Sequence, residues 1–127
     1  MQVDIVTPEK VLFSEKEISM VTVPGIEGQM GILDNHLPVV TFLKPGVINV
    51  ESTENKYFFT TGGVIDFKNN SLSILCQEIF DVKDLTDEKI SELKEKASQK
   101  IENKESTDHD IFISNTMIDE LNSLQSK

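Results

Sequence analysis

The sequence predicts a β + α chain: an N-terminal antiparallel β-sandwich followed by a C-terminal two-helix antiparallel hairpin. Three observations carry this. Up to residue 83 the chain is a series of short β-branched and aromatic runs separated by turn residues, the pattern of a sandwich or barrel. From Asp84 the apolar spacing lengthens to the period of a helix. Thr86 and Thr107 then stand where helix N-caps are needed. The expected organisation is a β-sandwich domain at 1–83 and a helical hairpin at 84–127.

The β elements follow in order. Gln2 to Val6 alternates polar and apolar, as a half-buried strand does, and Thr7-Pro8 interrupts it. Val11 to Phe13 and Ile18 to Val23 read as further strands, with Pro24-Gly25 as a stop. Between Gly25 and Pro38, three glycines, a histidine and a proline fall at close, irregular intervals. Each glycine allows a positive φ or a close approach, so the run implies a shaped loop rather than a plain hairpin turn. Val39 to Leu43 and Val47 to Val50 flank Lys44-Pro45-Gly46, where Pro then Gly suit the centre of a type II turn. Tyr57 to Thr61 follows a polar turn. Val64 to Phe67 and Ser71 to Cys76 flank Asn69-Asn70, a pair that tolerates positive φ in a tight hairpin.

The helices have their own signals. Asp87 and Glu88 follow the Thr86 cap and complement the helix dipole. Leu85 is placed to pack on Ile90 as a hydrophobic staple. Ile90, Leu93, Ala97 and Ile101 form a narrow apolar stripe, flanked by Lys89, Lys96 and Lys100. Asn103 to Ser106 break the pattern. Thr107 with Asp110 resembles a capping box with a shorter acid. Ile111, Ile113, Met117, Ile118, Leu121 and Leu124 then spread over a wider arc. Helices this short are marginal alone in water, so they must pack on each other, on the sandwich or on a partner. Ile90, Leu93, Ala97, Ile101, Ile113, Met117, Leu121 and Leu124 are the expected packing residues.

The 127 residues suit one domain, or a small domain with an appendage. The formal charge is −10, from 22 acidic and 12 basic residues, and every basic residue is a lysine. Such a chain is repelled by nucleic acid and by anionic headgroups, and a charged partner surface should be basic. Without arginine there is no bidentate capture of phosphate. No apolar run reaches the length of a membrane span, so no direct membrane insertion is expected. Cys76 is alone, which fits a reducing compartment.

Four segments together resemble the epsilon subunit of F-type ATP synthases (called delta in mitochondria). They are Val6-Thr7-Pro8-Glu9-Lys10-Val11-Leu12-Phe13-Ser14, Pro24 through Pro38, Leu43-Lys44-Pro45-Gly46-Val47, and Gly62-Gly63-Val64-Ile65-Asp66 before Leu72-Ser73-Ile74-Leu75. The resemblance spans about residues 2 to 90. It implies a central-stalk, rotor subunit with no chemistry and no cofactor, peripheral on the cytoplasmic face of the bacterial inner membrane. Its sandwich would bind the gamma subunit, and its lower loops would touch the c subunits of the rotor ring. It would couple proton flow to ATP synthesis, with a hairpin that touches alpha and beta subunits and weakly regulates ATP hydrolysis. The rotor-facing loop would be Glu27, Gly28, Gln29, Met30 and Gly31 with nearby His36. Many relatives carry a carboxylate where this chain has Gln29.

The hairpin departs from the family in two further ways. Nucleotide-binding relatives carry an Ile/Leu-Asp-x-x-Arg-Ala motif, and the matching stretch here is Ile90-Ser91-Glu92-Leu93-Lys94-Glu95. In well-inhibited relatives the last helix is basic, whereas here Asp108, Asp110, Asp119 and Glu120 face Lys127 alone.

Other readings are weaker. His36 has no second ligand at metal spacing, since His109 lies in the hairpin, so a structural or interface role is expected. Gly25, Gly28 and Gly31 lead into no helix and no Lys-Ser/Thr pair, which argues against a phosphate loop. An enzyme would need a nucleophile with a base, paired carboxylates or a metal site, and no catalytic residue is expected. The alternative is a generic protein-interaction β-sandwich module, which has no reason to carry these segments in this order.

Overall fold

Short alternating strands each hide one face, and the economical solution is to stack them as two layers. The computed structural model describes residues 1–125. Among the described residues the strands are β1 (Gln2–Val6), β2 (Val11–Glu15), β3 (Met20–Gly25), β4 (Gly28–Leu33), β5 (Val39–Leu43), β6 (Gly46–Glu51), β7 (Asn55–Thr60), β8 (Gly63–Lys68), β9 (Ser71–Cys76) and β10 (Ile79–Asp81). A 3-10 turn at Val82–Asp84 leads into α1 (Asp87–Glu102), and α2 (Asp108–Gln125) returns.

The sheet is continuous but folded over. One layer runs β10-β7-β6-β3 with β4 added on β3, and the other runs β5-β8-β9-β1-β2. A single bridge, Gly25 with Leu43, joins β3 to β5. All ladders are antiparallel except β1 with β9. A parallel pair needs a long connection, and here the seven strands between supply it. Between the layers lie Val3, Ile5, Ile32, Ile48, Ile65, Leu72 and Ile74, all fully buried. Burying each contributes roughly 1.5–3 kcal/mol. The Phe13 and Phe58 rings meet edge-on, 5.7 Å between centroids, and tie β2 to β7 across the interior. The two-layer sandwich followed by two helices is the architecture the sequence predicts.

Two local expectations are corrected. The Gly25 to Pro38 segment is not a shaped loop throughout. Its first half is a hairpin, with β3 and β4 paired from Met20–Leu33 to Gly25–Gly28 around a two-residue turn. Of its three glycines only Gly28 has a positive φ, 139°. Gly25 serves close approach, since a Cβ there would lie 2.7 Å from the Gly28 carbonyl oxygen, whereas Gly31 leaves room for the flexible end of Met20. Nor is Lys44-Pro45-Gly46 a type II turn. Gly46 is a strand residue without positive φ, and β5 and β6 pair with different neighbours. The segment carries the chain from one layer to the other.

Asn69 and Asn70 both take positive φ, 51° and 55°, in the tight β8–β9 hairpin. Thr86 caps α1, accepting from the Lys89 amide at 3.1 Å. Thr107 and Asp110 cap α2 reciprocally, each backbone N–H donating to the other's side chain at 3.1 Å. The Thr107 amide holds the Asp110 carboxyl below its ordinary range. The hairpin lies on the outer face of the first layer. There Phe59, Ile90, Leu93 and Leu121 form a second cluster, flanked by Val47, Phe80, Val82, Leu85, Met117 and Leu124. Phe58 and Phe59 thus point to opposite faces. Phe58 enters the sandwich, Phe59 lies under the hairpin, and Tyr57 stays exposed beside it.

Candidate functional site

Strand register decides which side chains share a surface. In the second layer, Phe42 on β5 stands opposite Val64 on β8. Val64 is opposite Leu75 on β9, Leu75 opposite Val6 on β1, and Val6 opposite Val11 on β2. Each has a chain neighbour that lies in the core or packs against it, so this row of five points outward. Phe42 is 68% exposed, Val11 61% and Leu75 47%; Val40, in the next row of β5, is 66% exposed. A shallow depression of about 550 Å³ gathers Val6, Pro8, Phe42, Val64 and Leu75. The hairpin covers the other layer, so this face stays open. An apolar row across five strands is a candidate interaction site.

The sequence hints at this row only indirectly. Val39 to Leu43 is apolar at both parities, as is Ile74-Leu75-Cys76. A strand apolar on both faces needs two covers. Which outward residues align cannot be read without the register.

The residues expected to face the rotor ring are not one cluster. Glu27 sits in the β3–β4 turn; Gly28, Gln29, Met30 and Gly31 lie along β4; His36 lies past its far end. Six residues of strand separate Glu27 from His36 by roughly 17 Å or more. β4 pairs only with β3, so the whole set lines one edge of the sandwich. Glu27, Gly28 and Gln29 are exposed, while Met30, Gly31 and His36 are half-buried. His36 packs edge-on against Phe67, 5.9 Å between centroids, and its Nδ1 lies 2.6 Å from the Leu37 carbonyl. The loop beneath is held by Asp34, which accepts from Asn70 at 2.7 Å and from the Met1 ammonium at 3.0 Å. These bonds, Asn70 foremost, lower the Asp34 carboxyl from its ordinary range.

Of the hairpin residues, Ile90, Leu93, Ala97 and Leu121 are buried, and Ile101, Ile113, Met117 and Leu124 are half-buried. Ala97 and buried Ser114 let the helices approach beside Ile113 and Met117. Lys94 Nζ donates to Asn122 Oδ1 at 2.9 Å and to Gln125 Oε1 at 2.6 Å, linking α1 to the end of α2. Lys127, the one lysine of the last segment, lies outside the described residues. Burial pushes the Cys76 thiol up from its ordinary range, opposed by Thr60. Among the described residues no three His, Cys, Asp or Glu side chains gather as a metal site. Among the described residues no helix is long and apolar enough to cross a membrane.

Comparison with known proteins places this arrangement. Residues 1–82 match the family model described as ATP synthase, Delta/Epsilon chain, beta-sandwich domain. An ATP synthase epsilon chain of Pelagibacter ubique is 40% identical over 125 residues, covering 97% of this chain and 95% of that one. One of Desulforamulus reducens is 38% identical, covering 81% and 78%. The fold is that of a chain in the Euglena gracilis mitochondrial ATP synthase assembly of OSCP, F1 and c-ring, with a TM-score of 0.73 at 18% identity over 98% of this chain and 78% of that one. A chain of the Tetrahymena thermophila mitochondrial central stalk and c-ring gives 0.71 at 17% identity, over 97% and 94%. With a family model over most of its length and a relative similar from end to end, this chain belongs to the ATP synthase delta/epsilon chain family.

Proposed function

We propose that this chain is a non-catalytic central-stalk subunit of an F-type proton-translocating ATP synthase, docked on the gamma subunit through the open face of the β5-β8-β9-β1-β2 layer. The observation that carries this is the outward row Phe42, Val64, Leu75, Val6 and Val11. Covering it removes apolar surface from water at about 25 cal/mol per Å². The β4 edge, from Glu27 through Gly28, Gln29, Met30 and Gly31 to His36, turns toward the c subunits of the rotor ring. Bridging gamma and the ring, the subunit rotates with both and couples proton flow to ATP synthesis. It sits peripherally on the cytoplasmic face of a bacterial inner membrane.

The sandwich of residues 1–83 carries these contacts. The hairpin of residues 84–127 is a separate unit that meets the alpha and beta subunits and regulates hydrolysis weakly. The test is co-expression with the gamma subunit of the same source. A co-purifying pair is expected, and Phe42→Asp should disrupt it. A chain that stays monomeric beside well-folded gamma would overturn the proposal.

A further inference from the structure

We infer that Asp66 is the charged anchor of the docking face, pairing with a lysine or arginine that the gamma subunit presents within an apolar patch. The inference rests on the docking proposed above. Asp66 stands on the outer face of β8, two residues from Val64, with Val40 opposite on β5 and Ser73 opposite on β9. It is half-buried among these neighbours. Among the described residues no hydrogen bond or ion pair reaches its carboxylate.

The other charges on this face do not satisfy it. Lys68, two residues on, is exposed and makes no ion pair with it. Asp4 lies in the same row beyond Ser73, roughly 10 Å away by strand spacing. It is already bound by the Ser14 hydroxyl at 2.5 Å and the Gln2 amide at 3.0 Å. Its charge has the sign of Asp66 and deepens the negative potential there. A wholly apolar partner would strand Asp66 as an unpaired, desolvated charge, which binding surfaces avoid. A cation seated among apolar side chains satisfies both the row and the carboxylate, and it fits a chain of formal charge −10. A charge at this point selects among partners that share the apolar complement.

The experiment measures binding of the full chain to the purified gamma subunit by calorimetry, at low and at high salt. Asp66→Asn should weaken binding about tenfold or more at low salt, with a smaller loss at high salt. Asp66→Lys should abolish binding, and Asp66→Glu should restore most of it. Lys68→Ala should bind as the parent does; if it weakens binding as much as Asp66→Asn, the counter-charge is internal and the inference falls. It also falls if Asp66→Asn binds as tightly as the parent while Phe42→Asp does not, because the face then docks without an anchor. If the parent does not bind, or Phe42→Asp binds equally well, the docking proposal itself is wrong and takes the inference with it.

Discussion

Gly46 lies directly against Pro24: a Cβ on Gly46 would come 2.7 Å from the Pro24 Cβ and 3.1 Å from its Cγ. The contact sits where the chain crosses between layers, and the Pro24 carbonyl also accepts from the Lys44 amide at 2.9 Å. The proline ring cannot rotate away. Gly46→Ala should therefore destabilise the fold by roughly 1–3 kcal/mol through overpacking. The unfolded-state effect of Gly→Ala has the opposite sign, about 0.4–1 kcal/mol. A urea midpoint that is unchanged or raised would show that the corner has room.

Acid should remove part of the stability that Asp34 provides. Its carboxyl is lowered by the Asn70 amide first and the Met1 ammonium second. A carboxyl lowered on folding stabilises the native state above its unfolded value, about 3.9, and that contribution is lost as pH falls through the folded value. Asp34→Asn should lower the denaturation midpoint at neutral pH, and the gap to the parent should narrow in acid, as the pH falls below the unfolded value and through the lowered folded one. A gap of equal size at neutral pH and in acid would mean that the charge of Asp34 does not matter.

Leu121 is fully buried between the helices and β7. Its truncation in a rigid core would cost about 2–5 kcal/mol, but the hairpin can escape part of that by undocking. Leu121→Ala should raise amide exchange across α1 and α2 while the strands keep their protection. Uniform acceleration over the whole chain would show that helices and sandwich unfold as one unit.

ATP should bind weakly or not at all. In the Ile90-Ser91-Glu92-Leu93-Lys94-Glu95 stretch, Lys94 lacks the planar fork of arginine and is engaged by Asn122 and Gln125. Glu95 adds negative charge near a polyphosphate. Calorimetry of the purified chain showing a micromolar constant for ATP would contradict this.

The hairpin should restrain hydrolysis only slightly. The described part of α2 carries Asp108, Asp110, Asp119 and Glu120 and no lysine, so its long-range field repels an acidic partner. Its apolar side is engaged with Phe59, Ile90 and Leu93, which favours the folded-back form. Deleting residues 84–127 should raise hydrolysis by the reconstituted soluble complex less than tenfold. A tenfold rise or more, about 1.4 kcal/mol of barrier, would mean that the hairpin is a strong inhibitor.

Residues close together in the chain were enough to specify the succession of strands and then two helices, the caps and the change of period at Asp84. Thr107 and Asp110 are three apart, Asn69 and Asn70 adjacent, Ile90 and Leu93 one turn apart. Local chemistry settles such features. The glycine-rich run misled for a related reason. A glycine's local freedom is visible in sequence, but whether Gly31 spends it on a loop or on room for Met20 depends on what lies across the ladder. The β3–β4 hairpin therefore emerged only with the fold. The short β10 is likewise set by pairing with β7 rather than by its own three residues. The outward apolar row proposed as a docking face depends wholly on tertiary packing. Val6, Val11, Phe42, Val64 and Leu75 are scattered over the chain, and register alone brings them into one row. A slip of one residue would send each to the opposite face. Strand register is fixed by burial of the interior, so the outer surface, and the place of Asp66 on it, follows from packing on the side no partner sees.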